Sequence, residues 1–393
     1  MGLTTATQDP QPADALTAER HGPRPPKADQ PHEGHPPPAT KVAQAVRRGS
    51  GTRPKAACPP TSLHRTTRRS SRIVPRLRRA LLATLLTTAL VAPLSAAARP
   101  AIPAPPPATL TSALTPATLT SAYEANRADA TEAARMAAAH GDPRRAAADR
   151  TLAAASRHLL AFDGRGNGRA TEVLGDLTRA TRIAVLVPGS DTSLDTYARF
   201  HRAASALYSD LTHRAAAGTR TRVAVVAWLG YTTPATVSTT VTTTTRADEA
   251  APHLRAFVRD LRRVAPPAVR VSLLCHSYGS VVCGRAAQGT DADDIALVGS
   301  PGTGAGSVSG LHTRARIWAA RGSADWVAHV PHVSTRLFGT TIGLGTDPVS
   351  RAFGARVFDA AGANHSGYFT PGSASLANLA RITLGESSEV TRA

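Results

Sequence analysis

The sequence predicts an α/β fold, in which helices cover both faces of a mostly parallel sheet. Three observations support this prediction. Short runs of Val, Ile, Leu and Ala recur along residues 183–362 without the alternation of a half-exposed strand. Longer segments with helical character separate these runs, as the crossovers between parallel strands require. One run, at residues 271–274, leads directly into a serine-containing turn and a helix of small residues.

The first 120 residues are predicted to lie outside this domain. Residues 1–73 are rich in Pro, Arg, His and Thr and lack periodic apolar residues, so we expect a disordered basic segment. Residues 74–98 join a basic start to an apolar stretch at 80–98 that ends in small residues, which is typical of a signal peptide or signal anchor. Residues 99–120 are predicted to be an extended Pro/Thr/Ala linker.

The position of this signal within the chain has two explanations, which the sequence leaves open. If translation starts near Val74, the upstream segment is not made and the product begins with a conventional signal peptide. If it starts at Met1, the basic tail stays inside and residues 80–98 are an uncleaved anchor. Both explanations predict a secreted or extracytoplasmic domain, either free or attached to the membrane through residues 80–98.

Residues 121–386 are predicted to form one folded domain, followed by a disordered tail at residues 387–393. It should begin with two Ala-rich helices at residues 123–140 and 144–160 and a short hairpin. Strands are then expected at residues 183–189, 222–230, 270–276, 296–302, 315–322 and 355–362. The helices between and after them are expected at residues 192–217, 248–264, 279–287 and 373–384. A Thr-rich run at residues 232–245 interrupts this rhythm and is predicted to be an exposed loop.

The turn after strand 270–276 is predicted to carry a nucleophile. A strand, a sharp turn and a helix place Ser277 at a strained apex, with its Oγ beyond the carboxyl end of the strand. Small residues are needed two positions before and after such a serine. Gly279 meets this requirement, and Cys275 is compact enough to replace the usual glycine. The amide that follows Ser277, that of Tyr278, is predicted to be one donor of an oxyanion hole.

A serine hydroxyl needs a base, and parallel strands end at one edge of the sheet, so the base should follow a strand. His365 follows strand 355–362 in a loop before the last helix, and we predict that it is the base. The alternatives are placed less favourably along the chain: His312, His329 and His332. His276 is interpreted as a packing residue, because neighbouring side chains at such a turn diverge.

The carboxylate that orients the base is predicted to be Asp325, which follows strand 315–322 at the active edge. Trp326 beside it is expected to shield this carboxylate from water. Asp347 is the alternative, but it precedes the next strand and is therefore expected nearer the opposite edge. The second oxyanion donor is expected in the loop after strand 183–189, where we select Ser190.

Composition excludes several other classes of function. The formal charge is +19, but residues 1–79 carry 15 Lys or Arg against 5 Asp or Glu without one aromatic residue to stack on a base. Nucleic acid is therefore not a predicted partner. The three cysteines have no metal-ligand spacing, and no metal or other cofactor is expected. We expect buried thiols at Cys275 and Cys283 rather than a disulfide, because the helix should carry the second away from the first.

Several segments, in order, resemble the bacterial alpha/beta-hydrolase family that is filed as a domain of unknown function: YEANRADATEAARMAAAHGDPRR, IAVLVPGSDTSLDTY, CHSYGSVV, DDIALVGSPGTG and NHSGYF. The resemblance covers about residues 121–385. It implies an alpha/beta-hydrolase fold and a triad of Ser277, Asp325 and His365, in the chain order of such enzymes. Cys275 in place of glycine and the Thr-rich run depart from the family pattern and affect packing and a loop.

The leading hypothesis is therefore an exported serine hydrolase that cleaves the ester bonds of small molecules or lipids through an acyl-enzyme. The short connection between strands 296–302 and 315–322 leaves no room for a folded cap, so an open site is expected. The alternative hypothesis is a non-catalytic binding or cell-envelope module on the same scaffold.

Overall fold

The computed structural model describes residues 102–109, 113–216, 221–330, 335–337 and 340–393. The segments predicted at residues 1–73 and 74–98 lie outside this range. No helix of the described residues combines the length and the apolar character that a membrane span needs.

An eight-stranded sheet lies at the centre of the domain, with its strands in the order β1-β2-β4-β3-β5-β6-β7-β10. The strands are β1 (His158–Asp163), β2 (Arg169–Gly175), β3 (Arg182–Val187), β4 (Val223–Leu229), β5 (Arg270–His276), β6 (Asp294–Val298), β7 (Arg316–Ala320) and β10 (Arg356–Val357). β2 runs antiparallel to β1 and β4, and all pairs from β4 to β10 are parallel. β8 (Thr335–Leu337) and β9 (Thr340–Ile342) form a separate antiparallel pair. The predicted mostly parallel α/β architecture is confirmed.

Six α-helices are present among the described residues: α1 (Leu119–Ala139), α2 (Pro143–Leu152), α3 (Tyr197–Ala216), α4 (Thr245–Val264), α5 (Gly279–Ala286) and α6 (Ala374–Leu384). They cover both faces of the sheet because successive side chains of a strand point to opposite sides. In β3, Val185 belongs to the core under α4 and α5, whereas Leu186 belongs to the core under α3 and α6. The central strands β4, β5 and β6 are buried almost throughout, which explains their continuous apolar sequences.

The ends of the domain differ from the prediction in three ways. The second helix ends at Leu152 rather than near residue 160, because residues 158–163 pair with β2 as a strand. The predicted linker is not detached: Ala104 and Leu114 pack against the two cores. The predicted disordered tail is also wrong. The amide of Asp359 donates to Thr391 O at 2.9 Å, and Val390 is buried, so apolar burial and backbone pairing hold this segment.

The Thr-rich run is more than an exposed loop. Its first residues pack against the loop after β3, and Thr233 is buried there. Further along, Thr239–Thr242 form one turn of 3-10 helix, and Thr243 O accepts a hydrogen bond of 2.7 Å from the Tyr278 hydroxyl. These contacts bring the run against the turn that carries Ser277.

Candidate active site

Ser277 stands at the sharp turn between β5 and α5, as its sequence context predicts. Its φ is 54°, in the left-handed region that residues other than glycine rarely adopt. The turn is held because the Ser277 amide donates to Val298 O at 3.0 Å. The requirement for a small residue two positions later is real, since a Cβ atom on Gly279 would lie 2.5 Å from Val187 O. The strain at Ser277 is thus imposed by tight packing of helix against strand.

Cys275 and Cys283 form a disulfide, so the expectation of two separate thiols is wrong. Their Cα atoms are 6.4 Å apart, within the range that a disulfide can bridge. The turn at Ser277 is tight enough to fold α5 directly back over the end of β5. Both cysteines therefore face each other in the fully buried layer beneath the nucleophile.

Ser277, His365 and Asp325 are joined by a chain of two hydrogen bonds. His365 Nε2 lies 2.9 Å from Ser277 Oγ, and His365 Nδ1 lies 2.9 Å from Asp325 Oδ1. Because a carboxylate only accepts, Nδ1 carries the proton and Nε2 is free to accept the serine proton. Asp325 follows β7 and His365 follows β10, so three separate strand ends supply the three side chains at one edge of the sheet.

The Asp325 carboxylate is buried and accepts hydrogen bonds from three donors. Besides His365, these are the Tyr368 hydroxyl at 2.5 Å and the Val327 amide at 2.9 Å. Burial alone raises the pKa of a carboxyl, but here the hydrogen bonds from His365, Tyr368 and Val327 outweigh it and lower the pKa of Asp325. Asp325 is therefore ionised at neutral pH and able to hold the imidazole. Trp326 packs on the His365 ring, with centroids 4.6 Å apart, and is itself half exposed.

His276 contacts the site, contrary to its interpretation as a packing residue. Its Nε2 lies 2.6 Å from the backbone O of His365, and the two rings lie 4.9 Å apart. A carbonyl oxygen only accepts, so Nε2 of His276 must carry the proton. Burial first, and then the charge of His365, lower the pKa of His276 to about 4. His276 is thus a neutral donor that holds the backbone of the residue whose side chain contacts Ser277.

Among the described residues, none of the remaining candidates is hydrogen-bonded to Ser277. His312 and His329 are exposed, and the side chain of His332 lies outside the described residues. Asp347 forms an ion pair of 2.7 Å with Arg321, directly after β7, so its expected position near the opposite edge is wrong. The cause is a detour of the chain before β10: the Thr346 amide donates to Ala305 O in the loop after β6.

The loop after β3 passes directly beside Ser277. A Cβ atom on Gly189 would lie 2.5 Å from Ser277 Cβ and 3.1 Å from Ser277 Oγ. The peptide that joins Gly189 to Ser190 is therefore next to the nucleophile. Within the described part of the chain, neither the Ser190 amide nor the Tyr278 amide donates a hydrogen bond to another residue. Both amides are available to an oxygen that develops charge at this position.

Asp191 fixes this loop through contacts with residues much later in the chain. Its φ is 57°, its amide donates to Pro234 O at 3.0 Å, and its Oδ1 accepts from the Thr236 amide at 3.1 Å. The Tyr231 hydroxyl adds a bond of 2.7 Å to Pro188 O. The only local hint in the sequence is a short polar residue after Pro-Gly-Ser, since the partners lie in the Thr-rich run.

A cavity of about 710 Å³ opens above Ser277, between α3 and the loop that follows His365. Its wall combines aromatic residues with charged ones, and Ser277, His365 and Ser190 all line it. Among the described residues, no group of three His, Cys, Asp or Glu side chains is arranged to hold a metal ion. The arrangement can bind an acyl group, activate a hydroxyl and stabilise an oxyanion.

Sequence comparison gives one matching family model and two curated relatives. A family model described as alpha/beta hydrolase matches residues 163–335. Two curated proteins of Mycobacterium tuberculosis, the uncharacterized proteins Rv2079 and MT2140, are each 31% identical over a 259-residue alignment. The match covers 58% of this chain and 39% of theirs. The chain therefore spans well under half the length of these relatives.

Among solved structures, XC6422 from Xanthomonas campestris is described as an α/β serine hydrolase without a lid. It has a TM-score of 0.36 and 16% identity, over 61% of this chain and 98% of its own. Esterase PE8 has the same TM-score and identity, over 55% of this chain and 96% of its own.

Proposed function

We propose that this chain is a serine hydrolase of the alpha/beta-hydrolase type that cleaves ester bonds through an acyl-enzyme. The family model matched at residues 163–335 and the mostly parallel sheet support this proposal. The observation that carries the proposal is the hydrogen-bonded chain from Ser277 Oγ through His365 to Asp325 at the floor of an open cavity. A merely structural serine has no need of a strained backbone and an oriented imidazole.

In the first half-reaction, Ser277 Oγ attacks the ester carbonyl carbon while His365 Nε2 takes the hydroxyl proton. The carbonyl oxygen becomes an oxyanion and accepts hydrogen bonds from the Tyr278 and Ser190 amides. Collapse of this intermediate breaks the bond to the alcohol oxygen, which receives the proton from His365. Ser277 is left acylated, and the alcohol departs.

In the second half-reaction, His365 Nε2 takes a proton from water as the water oxygen attacks the acyl carbon. The same two amides stabilise the second oxyanion. The bond between the acyl carbon and Ser277 Oγ then breaks, Oγ regains its proton from His365, and the carboxylic acid is released. Asp325, ionised and held by Tyr368 and Val327, stabilises the imidazolium in both steps.

Fluorophosphonate labelling tests this function directly, because the probe reacts only with an activated serine. We expect the wild-type protein to be labelled at Ser277 and to hydrolyse p-nitrophenyl esters, and the Ser277→Ala variant to do neither. A folded wild-type protein that is neither labelled nor active would refute the proposal and favour a non-catalytic binding module on this scaffold.

We further propose that the domain acts outside the cytoplasm. Residues 74–98 have the composition of a signal peptide or anchor, and the disulfide between Cys275 and Cys283 is the kind of bond that persists in oxidising compartments. N-terminal sequencing of secreted protein tests this proposal, with a mature start expected between Ala96 and Pro100. Full-length chain in the membrane fraction would instead support an uncleaved anchor, and cytosolic chain would refute export.

A further inference from the structure

The cavity above Ser277 has two kinds of lining. Phe200, Phe369 and Trp326 contribute aromatic surface, which suits the hydrocarbon part of a substrate. Arg199 and Arg202 contribute two guanidinium groups from the same cavity wall. The aromatic surface alone suits an apolar ester, whereas the two guanidinium groups add donors that suit an anionic group of a substrate.

The two arginines are adjacent on one face of α3, since they are three residues apart. No carboxylate of the described residues lies within ion-pairing distance of either, whereas many other arginines of the domain are paired, such as Arg145 with Asp195. Arg199 also acts on the interior of the site: its charge adds to burial and to the charge of His365 in lowering the pKa of His276. Arg199 and Arg202 are both exposed to solvent, so their charges are open to a ligand at the cavity.

One acidic residue, Asp191, also lines the cavity, and its charge opposes that of the arginines. However, Asp191 Oδ1 already accepts a hydrogen bond from the Thr236 amide, so this carboxylate holds the loop after β3 in place. Two cations against one such carboxylate leave the mouth of the cavity positive.

We propose that Arg199 and Arg202 select esters that carry an anionic group, a carboxylate or a phosphate, separated from the scissile carbonyl by a hydrocarbon segment. A guanidinium binds either anion through paired N–H donors, and the aromatic wall covers the intervening hydrocarbon. This inference rests on the proposed function, because it names the substrate class of the same site. Arg199 and Arg202 are specificity residues here and take no part in bond breaking.

A matched pair of substrates tests the inference: p-nitrophenyl hexanoate and the p-nitrophenyl monoester of adipate, which differ by one terminal carboxylate. We expect wild-type kcat/KM to be roughly tenfold higher for the adipate monoester, as is reasonable for two partly exposed ion pairs. The preference, measured as the ratio of kcat/KM for the two substrates, should disappear in Arg199→Gln/Arg202→Gln. It should also weaken with added salt, because solvent reaches these charges.

The control is Arg144→Gln/Arg150→Gln, which removes the same charge from exposed positions on α2 outside the cavity. This variant should keep the full preference. Hydrolysis of phosphatidylglycerol vesicles is then compared with hydrolysis of phosphatidylcholine vesicles, to show whether the selected anion is on a lipid. A preference for the anionic substrate in either the soluble or the lipid comparison supports the inference.

A wild-type protein that hydrolyses both soluble esters and both lipids without preference overturns the inference and leaves the proposed function intact. A preference that survives Arg199→Gln/Arg202→Gln, or that the control also loses, overturns it as well. Absence of all hydrolysis together with absence of fluorophosphonate labelling refutes the proposed function, and the inference with it.

Discussion

Replacement of Tyr368 by Phe isolates one hydrogen bond at the buried end of the triad. The Tyr368 hydroxyl donates to Asp325 Oδ2 at 2.5 Å and accepts from the Gly322 amide at 3.1 Å. The ring remains in the variant, so the cavity wall keeps its shape. What is lost is a hydrogen bond to a charged, buried carboxylate, which typically contributes about 1.5–3 kcal/mol to stability.

The free energy of unfolding at pH 7 should therefore fall by about 2–3 kcal/mol, with the unpaired Gly322 amide included. The sign of its pH dependence follows from the lowered pKa of Asp325 in the folded protein. The stabilisation is present above the ordinary carboxyl pKa of about 3.9 and is lost as pH falls through the lower folded value. The difference between wild type and variant should thus be constant from about pH 5 to pH 8 and shrink in stronger acid.

Turnover should fall by about tenfold with little change in KM, because the His365 and Val327 hydrogen bonds still hold the carboxylate, though less rigidly. Urea unfolding at several pH values and p-nitrophenyl ester kinetics measure the two effects. Tyr208→Phe, a half-buried tyrosine of α3 outside the cavity, should change neither. Wild-type kcat and wild-type stability in Tyr368→Phe would show that this hydroxyl does not support Asp325.

Three further predictions follow from the same site. Asp325→Asn should lower kcat by about 10⁴-fold, because Asp325 holds the tautomer of the His365 imidazole. Asp347→Asn should keep most activity, because Asp347 pairs with Arg321 instead. Reversed results would mean that Asp325 is not the carboxylate of the triad. His276→Gln keeps a donor to the His365 carbonyl but does not titrate. The pKa of His276 is lowered to about 4 in the folded protein, so protonation of this side chain in acid favours the unfolded state. Between pH 6.5 and pH 4, the free energy of unfolding of wild type should therefore fall by up to about 3 kcal/mol more than that of the variant. Equal losses in acid would contradict the burial of His276. Cys283→Ser removes a disulfide between residues separated by 8 positions, and the free energy of unfolding in urea should fall by about 2.5 kcal/mol. A reductant should cause the same loss in wild type and leave the variant unchanged. Insensitivity of wild type to the reductant would argue against the disulfide.

The sequence alone indicates the features that neighbouring residues encode. Continuous apolar runs mark β3, β4, β5 and β6, because strands buried on both faces need no polar positions. The turn at Ser277 is equally local, since strand, small residues and helix must follow one another within a few positions. The choice of Asp325 and His365 needs one more rule, that parallel strands end at one edge, and the structure brings both residues to Ser277.

The tertiary structure alone decides which distant residues support this site. Three hydrogen-bonded pairs form only because separate strand ends and loops converge. These pairs are Tyr368 with Asp325, His276 with the His365 carbonyl, and Asp191 with the Thr236 amide. The Cys275–Cys283 disulfide depends on how sharply the chain folds back, and the burial of Val390 depends on a surface that earlier residues build. Local patterns report the backbone conformation of a segment, but hydrogen bonds between segments depend on the packing of the whole chain, and no short stretch of sequence contains that information.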